Sequence, residues 1–143
     1  MSMRGLLIPS MRKAYLLGGH ATFTLVDTLS GLRYTYKVKE SDKNPTTQKT
    51  VWFVSVLIGP DNWTNYKYAG LLNPESLEFF STKNSKIAFD APSIFMFRHF
   101  LSGIETDSTS FEMWHEGSCA ICGRKLTVPE SIASGIGPVC ASR

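Results

Sequence analysis

Hydrophobic and polar positions alternate with period two in two neighbouring stretches near the start of the chain. In 21–28, Phe23 and Leu25 alternate with Thr22 and Thr24. In 32–40, Leu32, Tyr34, Tyr36 and Val38 alternate with Arg33, Thr35, Lys37 and Lys39. Successive side chains on a strand leave opposite faces, so each stretch predicts a strand with one apolar face. Leu29-Ser30-Gly31 between them supplies a turn, and the pair predicts an antiparallel hairpin with a basic outer face. VWFVSVLIG, residues 51–59, is apolar at both parities and predicts a central strand. The polar stretch 41–49, with Asn44-Pro45, predicts a loop before it, and GPDN at 59–62 predicts a turn after it. NYKYAGLL and LEFFSTK, the latter at 77–83, predict two more strands, the second short.

The period changes at residue 90. Asp90 and Pro92 signal a helix start and Gly103 a stop. Ile94, Phe97 and Leu101, with Phe100 beside them, form one apolar stripe and predict a helix over 91–102. The predicted fold class is therefore α+β: a small antiparallel sheet or OB-like barrel with one packed helix, plus a C-terminal zinc-knuckle module. Residues 1–19 read as a flexible leader or a first strand, 20–104 as the β-rich domain and 111–143 as the zinc-binding module.

The thiols require that last division. All three cysteines of the chain lie between 119 and 140. An odd, clustered set is a poor disulfide framework and a good metal-ligand set. Cys119-Ala-Ile-Cys122-Gly123 has the spacing that turns two sulfurs toward one ion, and Cys140 follows after Gly135-Ile-Gly-Pro-Val. His115 completes a Cys₃His donor set for a structural Zn²⁺, with Glu116, His99 or water as the other choices for the fourth position. Thr127 and Glu130 have capping-box spacing and start a helix too short to stand without the metal. The same donors read as a catalytic zinc only if a water replaces His115. No second histidine of an H-E-x-x-H pattern follows, so no enzyme is predicted.

Charge adds a candidate partner. Residues 1–60 carry eight Lys/Arg against three Asp/Glu, whereas 61–114 carry four against seven. The basic excess in the first half suits a phosphate backbone, and it is also the composition of an ordinary solvated sheet face. Arg33, Lys37 and Lys39 on the hairpin, Trp63 and Tyr66 beside the GPDN turn, and Arg124 and Lys125 on the knuckle are the candidate nucleic-acid or partner-binding residues. Tyr34 falls on the opposite parity from the lysines. No apolar run approaches the roughly 18 residues of a membrane helix. The N-terminus does not read as a secretory signal, and a cytoplasmic location is expected.

The stretch HEGSCAICGRKLTVPESIASGIGPVCA resembles the C-terminal cysteine module of a family of uncharacterised phage and prophage proteins. GHATFTLV, RYTYKV, WFVSVLIGPDN and DAPS resemble the body of the same proteins, so the likeness covers residues 18–142. It implies a mobile-element origin, the cytoplasm of the phage's host and a metal on Cys119, Cys122 and Cys140, and it implies no reaction. Two functions follow as expectations. The first is a zinc-stabilised protein that binds nucleic acid, single strands included, or a nucleic-acid-handling complex. The second is an inhibitor of a host defence protein acting by protein–protein binding.

Overall fold

The computed structural model describes residues 5–7, 9–41, 46, 50–58, 65–104, 110–115 and 121. Chain order is β1 (Gly5–Leu6), α1 (Pro9–Leu16), β2 (His20–Asp27), β3 (Arg33–Glu40), β4 (Trp52–Leu57), β5 (Tyr66–Leu72), β6 (Phe79–Phe80), α2 (Pro92–Ser102) and β7 (Phe111–His115). The strands form one sheet in the order β1-β7-β2-β3-β4-β5-β6, every pair antiparallel. The fold is α+β, as the patterning predicts. It is an open sheet rather than a barrel: its two ends are the two-residue strands β1 and β6, which do not pair. Edges that short offer little backbone for a further strand.

The hairpin β2–β3 has the expected register, with Phe23 opposite Tyr36 and Thr22 opposite Lys37. Gly31 takes φ +78 at its turn and its N–H donates to the Asp27 carbonyl. That left-handed angle suits glycine because no Cβ crowds the backbone. β4 lies inside the sheet between β3 and β5, and β2 to β6 run as a meander. A bulge at Val54/Ser55 interrupts the β4–β5 ladder.

Two elements extend the expected set. The first is α1, where Arg12, Tyr15 and Leu16 form the buried stripe. Pro9 opens it at a first-turn position that needs no N–H donor. The second is β7, which lies between β1 and β2. Because β7 is antiparallel to both, β1 and β2 are parallel, and β1-α1-β2 is a split βαβ unit.

Both helices pack on one face of the sheet and share one core with it. A chain of rings runs through that core: Tyr15 edge-on to Phe23 at 6.3 Å, Phe23 stacked on Tyr36 at 5.6 Å, Tyr36 on Phe97 at 5.1 Å, and Phe97 edge-on to Phe79 at 5.9 Å. Ile94, Phe97, Phe100 and Leu101 of α2 are all buried, as their spacing predicts. Buried Arg12 ties α1 to the return of the chain: its guanidinium donates to the carbonyls of Phe111 (3.1 Å) and Ile104 (3.5 Å) and stacks over the Phe100 ring.

Candidate functional site: a basic and aromatic sheet face

The face away from the helices is set by strand parity and register. On β3, Tyr36 and Val38 point into the core, so Arg33, Thr35, Lys37 and Lys39 point the other way. Register adds their neighbours. Lys39 is opposite His20 of β2 and Phe53 of β4; Lys37 is opposite Thr22 and Ser55; Arg33 is opposite Val26. On β5, Tyr66 and Tyr68 pair with Leu57 and Ser55 and share this face. Neither described helix packs there.

Three of the candidate partner-binding residues, Arg33, Lys37 and Lys39, thus form one row, and Tyr66 joins them from two strands away. The Lys37 ammonium lies 4.3 Å from the centre of the Tyr66 ring. A cation over an aromatic face gains about 0.5–1 kcal/mol at an exposed site and holds a flexible side chain in place. Tyr34 and Trp52 lie on the helix-covered side; the Trp52 indole N–H donates to the Leu17 carbonyl at 3.3 Å.

Phe53 is a further candidate that the pattern did not single out. It is 41% exposed, sits opposite Lys39, and meets the Tyr68 ring edge-on at 6.0 Å. VWFVSVLIG is apolar at both parities, so its period could not separate Phe53 from its buried neighbour Val54. Only the register with the lysine-bearing strand places it. Among the described residues Glu112 of β7 also falls on this face, across Val26 from Arg33, and it accepts from the Trp114 indole N–H at 3.3 Å.

The metal-ligand candidates divide. Cys119, Cys122 and Cys140 lie outside the described residues, as do Glu116, Trp63, Arg124, Lys125 and the Thr127–Glu130 capping box. His115 is described. It is the last residue of β7, fully buried on the helix-covered face, with its ring 5.7 Å from Tyr15. His99 is exposed on α2 and contacts Phe111, at the opposite end of β7. Four residue steps of strand separate those ends, roughly 13 Å, so His99 and His115 do not serve one ion. Among the described residues no three of His, Cys, Asp or Glu come together as a metal-holding group. Three thiolates and an imidazole nevertheless form a donor set suited to zinc, and His115 stands four residues before the first of them.

Comparison with known proteins bears on this C-terminal stretch alone. No helix among the described residues is long and apolar enough to cross a membrane. No curated protein and no solved structure matches the chain. Residues 114–143, which begin on the last two positions of β7 and contain His115 and all three cysteines, match a family of unknown function (DUF6011).

Proposed function

We propose that the chain is a non-catalytic binding protein whose uncovered sheet face holds a nucleic-acid strand, with a structural Zn²⁺ on Cys119, Cys122, Cys140 and His115. The observation that carries this reading is the shared placement of Arg33, Lys37 and Lys39 with Phe53 and Tyr66 on that face. Cations spaced along a strand meet successive phosphates, and exposed rings between them stack on bases. The lysine fixed above Tyr66 contributes a phosphate contact with little ordering left to do, and Phe53 offers the freer ring face. In duplex DNA the bases are stacked on each other, so the rings favour single strands. Cys119, Cys122, Cys140 and His115 would hold the zinc, which would serve as a structural cross-link; the side chains of the sheet face do the recognition.

Fluorescence anisotropy with a labelled single-stranded oligonucleotide tests this. Binding is expected to weaken steeply with salt through counterion release. Lys37→Ala and Phe53→Ala should each weaken it further. A protein that ignores oligonucleotides at low salt, or binds duplex and single strand alike with Phe53→Ala unaffected, contradicts the reading.

A second reading, capture of a host protein, is favoured by a different place. The hairpin tip and α2 enclose a groove of about 490 Å³. Leu29, Leu32 and Phe95 around it are 87%, 51% and 65% exposed. An apolar contact there would be insensitive to salt, so the same titration discriminates the two.

A further inference from the structure

The uncovered face continues past the cation row to the β6 edge. Register puts Lys39 opposite Phe53, Phe53 opposite Leu71 of β5, and Leu71 opposite Phe80 of β6, so these four side chains form one row on that face. Phe80 is 45% exposed, as open as Phe53 at the other end of the apolar part. Beside Leu71 and Phe80 lies a groove of about 570 Å³, lined also by Thr50, Asn73, Pro74 and Glu75. That is within the range of small-ligand pockets, about 300–1,000 Å³, and has room for a nucleobase. Among the described residues that line it, Glu75 is the only charged one. The turn that carries Glu75 is fixed: the N–H groups of Glu75 and Ser76 donate to the Asn73 side-chain oxygen at 2.8 and 3.1 Å, and the Leu77 N–H donates to the Asn73 carbonyl at 2.9 Å. One row therefore runs from a cation, across exposed rings, to a groove that holds a carboxylate.

We infer that this groove is a guanine-selective base site at the end of the nucleic-acid face, with Phe80 stacking on the base and Glu75 accepting from its edge. The inference rests on the single-strand reading above and adds base preference to it. A phosphate is attracted by Lys39 and repelled by Glu75, so the base, not the backbone, meets the carboxylate. Three interstrand steps, roughly 14 Å, separate Lys39 from Phe80, so a phosphate on the long lysine side chain and a base over Phe80 belong to one short stretch of nucleic acid. An ionised carboxylate is an acceptor only, with two oxygens side by side. It selects a base edge with two adjacent donors. The Watson–Crick edge of guanine has them in N1–H and the 2-amino group. Adenine and cytosine offer one amino group beside an acceptor, and thymine a single N–H between two acceptors.

The test is fluorescence anisotropy on the full chain with a short labelled oligothymidylate, and with the same oligomer carrying one central guanine, adenine, cytosine or hypoxanthine. Guanine is expected to raise affinity about tenfold over thymine, within the range of a bidentate base contact. Hypoxanthine keeps N1–H and lacks the 2-amino group, so it should lose most of that gain. Glu75→Gln presents a donor where guanine needs an acceptor, so the guanine-to-thymine affinity ratio should fall toward one. Phe80→Ala should weaken binding of the guanine oligomer and leave the salt slope unchanged, because the phosphate contacts are untouched. Both side chains are exposed, so both variants should fold as the wild type does. Equal affinity for all the oligomers, or preference for another base, overturns the guanine site, and salt-dependent binding that Lys37→Ala weakens would leave the sheet-face reading standing. A guanine preference that survives in Glu75→Gln, or guanine affinity unchanged in Phe80→Ala, overturns the site as well. Binding to none of the oligomers at low salt overturns both.

Discussion

At the scale of single residues, the sheet face and its core side make opposite demands, and substitutions should separate them. Phe53→Ala removes a ring that is 41% exposed, so it should leave folding nearly intact. It should cost oligonucleotide affinity about 1–3 kcal/mol, the worth of one stacked base, measured by anisotropy. Gly70 sits where the sheet allows no side chain. A Cβ there would run into the Phe80 carbonyl and come within 2.8 Å of the Phe79 ring. Gly70→Ala should therefore destabilise the fold by about 1–3 kcal/mol in chemical denaturation, the usual cost of overpacking, and detach the β6 edge first. Arg12 is the opposite case, a buried charge that belongs where it is. Arg12→Met keeps the apolar stem but leaves the Phe111 and Ile104 carbonyls without its donors, and should cost about 1–3 kcal/mol. A neutral Arg12→Met would mean those carbonyls find water instead.

At the scale of elements, Tyr36 couples β3 to α2. Its hydroxyl donates to the Ser93 carbonyl at 2.7 Å while its ring stacks on Phe97. Burial, and secondarily the neighbouring Tyr34, push its phenol well above the ordinary 10.0. The folded state thus favours the neutral phenol. Its contribution is complete below the unfolded value near 10 and declines as pH rises past it. Thermal melts between about pH 8 and 11 should show stability falling at the alkaline end, and Tyr36→Phe should flatten that fall. The elements also differ in how plainly the sequence announces them. Strands β2 and β3 and helix α2 carry clean periods, β4 is announced by an apolar run between turn signals, and all are where the sequence puts them. Helix α1 is hidden because its buried stripe contains Arg12, which breaks the apolar pattern that marks a helix. Strand β7 is hidden because its third inward residue is His115, which reads as polar. In both cases a polar residue occupies a core position, and patterning alone cannot separate that from a surface. Phe53 was obscured for the converse reason: an apolar residue stands on the uncovered face of a strand that is apolar on both sides.

At the scale of the whole molecule, one topological fact relates the sheet face to His115. The chain crosses the helix-covered side through α2 and returns as β7 between β1 and β2, delivering His115 to the core just before the cysteines. The side chains of Lys37 and Phe53 and that of His115 therefore lie on opposite faces of one sheet. Disturbing either should leave the other's residues in place: Lys37→Ala and Phe53→Ala should keep the zinc stoichiometry of the wild type in native mass spectrometry. The most direct test of the central claim is the salt dependence of single-strand binding. For the three cations of β3, log K against log [salt] should fall with a slope of roughly −2, and Lys37→Ala should reduce that slope by roughly 0.7. A slope near zero, or one that Lys37→Ala leaves unchanged, would show that this face does not meet a phosphate backbone.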